Sequence, residues 1–434
     1  DTYTAEVGIL ASSCTLTPRA ADTGATSQVD GTDVGSGTPS GPIALAPGPT
    51  PIQVLVTAAD GTTQKAYTVV VSRNAVVTQQ AYLKASNVEA VDGFGQAIAV
   101  SGDTLVVGAP GEDADGSSEA DNSFGLSGAA YVFVRTGTTW TQQAYLKASN
   151  PGVGDRFGRQ VAIEGDTIVV SAPGERSDGI DPGSDAVGGA GAAYVFVRSG
   201  TTWTEQAFLK ASNVNSGDNF GDSLAISGDT IVVGAPGEAS DGSSEADNSA
   251  IAAGAAYVFV RNGTTWTLQA YLKASNADAG DEFGHCVAVQ GETVVVGARF
   301  EESNGISQAD NSAIQAGAVY VFTRSGTTWS QEAYVKHPAP QEFALFGSAV
   351  AVSGDRLAAS VRDDARSVCS PTSDTTTLGA GAVLIFERVG TVWTHAACVR
   401  AAVRDEGDAL GNTVRSLALE GEFLLVGAAR EDSD

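Results

Sequence analysis

The five tryptophan residues of this chain occur at a nearly constant interval, and that interval constrains the fold more than any other feature. They are Trp140, Trp203, Trp266, Trp329 and Trp393, which are separated by 63, 63, 63 and 64 residues. A period of this length, carried by the largest side chain, indicates one supersecondary unit that is repeated and packs against its own copies. The repeat therefore predicts the fold, whereas function has to be argued from other residues.

The charge balance narrows the range of partners. The 434 residues include 24 basic and 51 acidic side chains, which gives a net charge of −27. Nucleic acids and anionic lipids are bound through clustered Lys and Arg, so we expect no nucleic-acid partner. The apolar runs are strand-sized and far shorter than the roughly 20 residues of a membrane helix, so we expect no membrane insertion. Abundant Gly, Ser, Thr and Ala without Met are typical of a protein located extracellularly or on the cell surface.

Each repeat contains four segments of strand length. In the first repeat they begin at Phe94, Thr104, Gly128 and Thr139 and are rich in β-branched and aromatic residues. Gly-Asp and Thr-Gly-Thr turns and one long polar loop separate them. No stretch shows the 3.6-residue spacing of an amphipathic helix. The pattern predicts an all-β fold, namely a β-propeller of six to seven four-stranded blades with about 63 residues per blade.

Short glycine motifs recur at the same place in successive repeats. Phe-Gly pairs begin at Phe94, Phe157, Phe220, Phe283 and Phe346, and Gly-Ala-Pro begins at Gly108 and Gly234. This arrangement resembles the FG-GAP repeat of the integrin α-subunit propeller and its bacterial relatives. The resemblance covers residues 75–434 and implies five full blades plus partial blades. The integrin-type calcium loop is missing, because only a tight hairpin such as 101–103 joins the two motifs.

The first 74 residues follow a different pattern. Residues 52–73 alternate in polarity on both sides of Asp60-Gly61, which predicts a β-hairpin. The hairpin resembles the end of the cadherin-like β-sandwich modules of bacterial surface proteins, and it implies a small sandwich over residues 1–74. Such modules usually open with strands ahead of a segment like Thr2-Tyr3-Thr4-Ala5, so we expect this module to be incomplete.

The propeller segment also has unfinished units. Residues 78–85 have the sequence of a fourth strand and precede the first Phe-Gly, so we expect them to pair with the last unit, which contains two strands. Unpaired strand edges favour pairing with another chain. Head-to-tail self-assembly and excision from a longer protein are both open interpretations.

The acidic loops that follow the Gly-Ala-Pro segments are the best candidates for a metal site. Their candidate ligands are Glu112, Asp113, Asp115 and Asp121 in the first loop, Glu175 and Asp178 in the second, and Glu238, Asp241 and Asp247 in the third. Calcium takes roughly six to eight oxygen ligands from flexible loops, and Asp-x-Asp-Gly supplies alternating carboxylates and a turn. No loop completes the twelve-residue calcium pattern, so calcium binding and simple solvation both stay open.

Two other periodic positions have structural and functional interpretations. An aspartate precedes each of several Phe-Gly or Leu-Gly pairs, at Asp92, Asp155, Asp218, Asp281 and Asp408. We expect it to accept a backbone hydrogen bond, as Asp commonly does at turns, and a ligand role is the alternative. The tryptophans are expected to pack at the blade periphery, with stacking on sugar rings as the alternative.

Residues suited to catalysis are sparse. The three histidines are His285, His337 and His395, and the chain has neither a Gly-x-Ser-x-Gly elbow nor a phosphate-binding glycine motif. We therefore expect no enzymatic activity. The four cysteines have no regular spacing, and Cys369 and Cys398 could form a disulfide bond or stay as free thiols.

The sequence favours an extracellular role in adhesion, scaffolding or assembly, in which a rigid propeller binds protein partners or further copies of itself. A carbohydrate-binding, lectin-like propeller that recognises glycans is the alternative. A third hypothesis is an accessory domain of a larger secreted enzyme.

Overall fold

The computed structural model describes residues 2–7, 13–46, 48–73, 79–362, 381–400, 410–411, 416–421 and 423–428. Every helix or strand in these ranges is a β-strand. The strands divide between two compact units, residues 1–82 and 83–434, with a boundary close to the one expected after residue 74. The all-β prediction is therefore confirmed for the described residues.

In the described part of the N-terminal unit, the strands form one five-stranded sheet and one two-stranded sheet. Its strands are β1 (Thr2–Val7), β2 (Ser13–Cys14), β3 (Thr26–Val29), β4 (Thr32–Val34), β5 (Ile43–Ala44), β6 (Gly48–Thr57) and β7 (Gln64–Arg73). The larger sheet has the order β1-β7-β6-β3-β4, and β2 pairs with β5. Strand β1 runs parallel to β7, whereas the other pairs are antiparallel.

The predicted hairpin corresponds to β6 and β7, which pair over their whole length. Residues 58–63 connect the two strands, which makes the connection longer than a two-residue turn. Within it, the amide of Ala58 donates to the carbonyl of Thr63. The Asp60 carboxylate accepts hydrogen bonds from the amides of Thr62 and Thr63, at 2.8 Å each. The hairpin packs its apolar side on a small core that includes Ile52 and Val71.

The described residues of the second unit form five successive four-stranded antiparallel sheets, which we call blades 1 to 5, and one two-stranded sheet. Blade 1 is β8 (Ala97–Ser101), β9 (Thr104–Ala109), β10 (Ala129–Thr136) and β11 (Thr139–Leu146); blade 2 is β12 (Val161–Glu164), β13 (Thr167–Ala172), β14 (Ala192–Ser199) and β15 (Thr202–Leu209); blade 3 is β16 (Ser223–Ser227), β17 (Thr230–Ala235), β18 (Ala255–Asn262) and β19 (Thr265–Leu272); blade 4 is β20 (Phe283–Gln290), β21 (Thr293–Ala298), β22 (Ala318–Ser325) and β23 (Thr328–Val335); blade 5 is β24 (Val350–Ser353), β25 (Arg356–Val361), β26 (Ala382–Val389) and β27 (Val392–Val399); the two-stranded sheet is β28 (Leu417–Glu420) and β29 (Phe423–Val426).

These sheets match the predicted four-stranded units, and consecutive strands are neighbours in each of them. The number of blades beyond these sheets stays a prediction. One predicted element is wrong. Residues 79–85, which were expected to form a fourth-type strand with the last unit, form no strand. Residue 78 lies outside the described residues.

Four hydrophobic cores of the second unit lie between neighbouring blades. The core between blades 1 and 2 combines Val132 and Leu146 of blade 1 with Phe157 and Tyr194 of blade 2. Phe157 also contacts Tyr194 within its own blade, in an edge-to-face geometry with ring centroids 5.3 Å apart. Because aromatic rings bury large areas, the seam between blades is the main site of hydrophobic stabilisation.

A direct backbone contact joins each blade to the next. Gly128, which precedes β10, forms a parallel bridge with Phe157, and the Phe157 amide donates to the carbonyl of Ser127 at 2.9 Å. A Cβ atom on Gly128 would lie 2.1 Å from the Phe157 carbonyl oxygen, and Gly128 has a φ of +84°. The same close approach occurs at Gly191 with Phe220, Gly254 with Phe283, and Gly317 with Phe346. Glycine is therefore required at this position both by conformation and by space.

We predict that Gly128→Ala destabilises the second unit much more than Gly137→Ala. Gly137 also has a positive φ, of +62°, but a Cβ there has no atom within 4 Å. The control variant should therefore lose about 1 kcal/mol of unfolding free energy from backbone strain alone. Gly128→Ala adds a collision with the next blade and should lose about 3 kcal/mol or more. Urea denaturation measures both, and equal losses would contradict the backbone bridge.

Candidate functional site

The loops of each blade are divided between the two ends of the sheet. In blade 1 the hairpins at 102–103 and 137–138 lie at one end, which we call the hairpin face. The turn at 91–96, the loop at 110–128 and the connection at 147–156 lie at the other end, which we call the loop face. The alternating direction of antiparallel strands places the equivalent segments of the other blades in the same way. The acidic loops therefore all belong to the loop face.

In blades 1 to 4, a buried ion pair lies below the acidic loop. In blade 1, Lys147 Nζ lies 2.9 Å from Glu112 Oε2, and both side chains are almost completely buried. Glu112 Oε1 also accepts hydrogen bonds from Asn87 Nδ2 at 3.0 Å and from the Tyr145 hydroxyl at 2.8 Å. The pair recurs as Glu175 with Lys210, Glu238 with Lys273, and Glu301 with Lys336, at 2.6–2.9 Å.

This network connects successive blades. Asn150 follows the last strand of blade 1 and donates to Glu175 Oε1 of blade 2 at 3.0 Å. Its Oδ1 accepts the hydroxyl of Tyr194 in the same seam, at 2.7 Å. Burial lowers the pKa of Lys210, and the ion pair with Glu175 opposes that shift. The glutamates predicted as calcium ligands are therefore occupied by donors of the protein itself.

The aspartates of the acidic loops accept hydrogen bonds within their own loops. Asp113 Oδ1 accepts the Leu126 amide at 2.7 Å, and Asp115 Oδ1 accepts the Ser117 amide at 2.7 Å. Asp121 Oδ2 accepts the Ser123 hydroxyl at 2.6 Å.

The other loops repeat these turns. Asp241 and Asp247 make the equivalent contacts in blade 3, and Asp178 Oδ1 accepts the Ile180 amide at 2.9 Å. Among the described residues, no three His, Cys, Asp or Glu side chains are grouped so that they could hold a metal ion. Calcium binding by these loops stays a prediction.

The hydrogen bonds in the loops predict that calcium is not needed for stability. We expect the thermal midpoint to be the same with added calcium and with chelator, because the carboxylates already stabilise the loops. Calcium that binds only the folded state, at a free concentration 100 times its Kd, would add about 2.7 kcal/mol to the free energy of unfolding. A rise of several degrees with calcium but not with magnesium, abolished by Asp121→Asn together with Asp247→Asn, would establish the calcium interpretation instead.

Three of the periodic aspartates, Asp92, Asp218 and Asp281, accept the predicted backbone hydrogen bond. Asp218 Oδ2 accepts the Asn215 amide at 2.9 Å, Asp281 Oδ2 accepts the Asp278 amide at 3.1 Å, and Asp92 makes the same contact with Glu89. Asp408 lies outside the described residues. Burial raises the pKa of Asp155 and Asp218 to about 6 and that of Asp281 to about 7. The nearby Glu301 carboxylate contributes to the shift of Asp281.

We predict that Asp281→Asn stabilises the protein at pH 8 and not at pH 4. An aspartate whose folded pKa is raised contributes stability that is complete below its unfolded pKa near 4 and is lost as pH rises to about 7. Asparagine keeps the acceptor oxygen and carries no charge, so the gain at pH 8 should be on the order of 2 kcal/mol.

His285 shifts stability with pH in the opposite direction, because its pKa is lowered to about 3. The measurement is therefore the difference in melting temperature between Asp281→Asn and wild type at each pH from 4 to 8. A difference that does not change with pH would contradict the raised pKa.

Four tryptophans lie between blades, and the indole Nε1 of each donates to a side chain of the preceding blade; they are Trp203, Trp266, Trp329 and Trp393. The Arg198 guanidinium lies 5.1 Å from the centre of the Trp203 ring, and Trp203 Nε1 donates to Gln143 Oε1 of the preceding blade at 2.9 Å. Arg198 is held in turn by Asp166. Equivalent Arg–Trp contacts involve Trp140, Trp266, Trp329 and Trp393. These contacts support packing over sugar stacking for the tryptophan rings.

The turns around the Phe-Gly pairs share one backbone geometry but differ in chemistry. In each, the amide after Phe-Gly donates to the carbonyl of the residue before Phe at 3.0–3.2 Å. We call these segments, residues 93–96, 156–159, 219–222, 282–285 and 345–348, the variable turns. Their first and last residues are Gly93 and Gln96, Arg156 and Arg159, Asn219 and Asp222, Glu282 and His285, and Leu345 and Ser348. The first residue always has a positive φ, between +50° and +70°.

The variable turns of blades 3 and 4 contribute to a charged cavity of about 520 Å³ on the loop face. Arg299 replaces the proline of Gly-Ala-Pro here, and its Nε lies 2.8 Å from Glu282 Oε2. Its Nη1 lies 3.1 Å from Nε2 of the buried His285. Burial, together with Arg299, lowers the pKa of His285 to about 3, so this imidazole is neutral at physiological pH. Asp222 lines the same cavity, and burial raises its pKa.

The sequence patterns did not predict this cavity, to which the buried His285 contributes. The available signal was Gly297-Ala298-Arg299, the point at which blade 4 departs from Gly-Ala-Pro. The neighbouring Cys286 is buried and free, and burial raises its pKa to about 12. Cys14 is also free, and Cys398 is disulfide-bonded. Cys369, the partner considered in one of the two interpretations of the sequence, lies outside the described residues.

The geometry defines a class of repeat protein in which four-stranded sheets are joined through Phe-Gly turns. Four segments match the family model of the FG-GAP repeat, at residues 77–133, 140–196, 203–259 and 266–322. They cover more than half of the chain, which therefore belongs to the FG-GAP repeat family. Residues 1–74 match the model of a cadherin-like beta sandwich domain.

No curated protein matches the chain. Among the described residues, no helix is long and apolar enough to cross a lipid bilayer. FG-GAP repeats and cadherin-like domains typically occur in extracellular or surface proteins, and they suggest a module for protein interaction or adhesion.

Proposed function

We propose that the chain is an extracellular adhesion module that binds protein partners, including further copies of itself, through its loop face. The observation that carries the proposal is the contrast between constant seams and variable turns. The buried Glu–Lys pairs and the Gly–Phe bridges are nearly identical from blade to blade. The variable turns keep the same backbone and change their charge and polarity in every blade.

Exposed apolar side chains on the same face support a protein partner. Ile180 and Ile306 occupy equivalent loop positions in blades 2 and 4 and are 89% and 92% exposed. Blades 1 and 3 have Ser117 and Ser243 at this position, so isoleucine is not required by the fold. Isoleucine gains free energy when a partner covers it, at about 25 cal/mol per Å² of buried apolar surface. We propose that the module functions without catalysis of its own.

A bead-aggregation assay tests this function. We expect beads coated with the chain to aggregate, and we expect the double variant Ile180→Ser, Ile306→Ser to reduce aggregation. Serine reproduces the residue of blades 1 and 3, so the fold should be retained. The matched control is Val389→Ser, which removes an exposed apolar side chain from the hairpin face and introduces the residue found at Ser199 and Ser325.

Aggregation that is lost in the control variant as well would refute the assignment to the loop face. Beads that stay dispersed while the chain binds sugars on a glycan array would favour the carbohydrate-binding alternative. Light scattering of the free chain at several concentrations shows whether self-association also occurs in solution.

A further inference from the structure

The variable turn of blade 2 contributes two arginines to the lining of one cavity. Arg156 and Arg159 line a space of about 280 Å³ between blades 1 and 2 on the loop face. The apolar part of its wall is formed by Val91, Pro110 and Leu126, and no carboxylate is among the residues that line it. The chain as a whole has a net charge of −27, so a cavity lined by two arginines and no carboxylate has the opposite charge to the protein.

The backbone holds both arginines in fixed positions. The Arg159 amide donates to the Arg156 carbonyl at 3.0 Å, which closes the turn. The Arg156 amide donates to the Leu126 carbonyl of blade 1 at 2.9 Å, which ties the turn to the opposite wall of the cavity. Arg156 has a φ of +59°, a conformation that is stabilised by this contact. The two Cα positions are therefore set before any ligand arrives.

The two arginines also differ from the arginines that have a structural role. Arg198 and Arg261 stack on tryptophan rings and pair with aspartates at 2.5–2.6 Å. In the described part of the chain, neither Arg156 nor Arg159 has a side-chain hydrogen bond or an ion pair.

Two titratable groups on the following blades lie within electrostatic range of Arg159 but do not line this cavity. Asp222 interacts electrostatically with Arg159 without forming an ion pair, and the buried His285 is neutral at physiological pH. The positive charge of the cavity is therefore only partly compensated.

We propose that this cavity binds a small organic acid, with the carboxylate held by Arg156 and Arg159 and the apolar body against Val91, Pro110 and Leu126. A guanidinium has a planar fork of donors that matches a carboxylate, and two of them supply both charge and direction. The apolar wall selects an acid with a hydrocarbon body over an inorganic anion. This site goes beyond the proposed adhesive function and does not depend on it.

Isothermal titration at constant ionic strength tests the site with butyrate, acetate and inorganic phosphate. We expect saturable binding of butyrate with a Kd of about 1 mM or tighter. Acetate should bind roughly fifteenfold more weakly, because it is two methylenes shorter and each buried methylene contributes about fourfold in affinity. Heat that follows ionic strength alone, or tighter binding of phosphate than of butyrate, would overturn the proposal.

Variants taken from the other blades make the test specific. Arg159→Gln and Arg156→Asn introduce the residues that blades 1 and 3 carry at these positions, so the turn should be preserved. Each should weaken butyrate binding about tenfold or more. Arg176→Gln makes the same charge change at an exposed arginine outside the cavity and should leave Kd unchanged. Equal affinities of Arg159→Gln and Arg176→Gln would refute the role of Arg159.

A third variant separates the apolar wall from the charge. Leu126→Ala introduces the residue of blade 3, where Ala252 has the same φ of +57°. It should reduce the preference for butyrate over acetate while acetate binding is unaffected. An unchanged preference would show that the acid does not contact this wall and would overturn the assignment of an organic acid. Far-UV circular dichroism and melting temperature confirm folding of every variant.

Discussion

The close approach of backbone to backbone at each seam is the constraint on which the second unit depends. Gly128 lies so near Phe157 that no side chain can be accommodated, and the bridge fixes the separation of the two blades. At that separation, the Phe157 and Tyr194 rings fill the seam, and Asn150 reaches Glu175 in the next blade. The Glu–Lys pairs are buried as a result, and a buried pair is costly to break once one partner is removed. Backbone geometry thus determines which polar groups can be buried.

Much of the fold could be predicted from sequence, because the same local pattern occurs five times. Strand lengths, turns and glycine positions repeat in register, and the observed sheets follow them. The limits of local pattern are visible in residues 78–85, whose sequence, TQQAYLKA, is identical to that of residues 141–148. Residues 141–146 form part of a strand because β10 lies beside them, whereas residues 79–85 form none. A strand needs hydrogen-bonding partners, and sequence identity does not supply them.

The candidate site was less predictable, because it depends on contacts between distant residues. The sequence makes Glu112 a candidate calcium ligand because acidic residues surround it. In the structure its environment is determined by Lys147, a partner 35 residues further along the chain. The constant offset between these glutamates and lysines in blades 1 to 4 was a usable signal. Arg299 and the variable turns show another limit. The cavities depend on residues of neighbouring blades that meet at one end of the seams. No single sequence motif shows which residues meet there.

The FG-GAP units matched at residues 77–133 and 140–196 do not coincide with blades. The match at residues 140–196 begins in the last strand of blade 1 and ends within the third strand of blade 2. This repeat of the sequence therefore spans the seam between two blades. The unit at residues 140–196 contains Phe157, which pairs with Gly128 of the preceding unit, and Gly191, which pairs with Phe220 of the next. Duplication of one such unit therefore adds one phenylalanine and one glycine, and every seam keeps a matched pair. A gene built from these units can therefore lengthen by unequal recombination, and each new copy can acquire its own turn chemistry by point mutation.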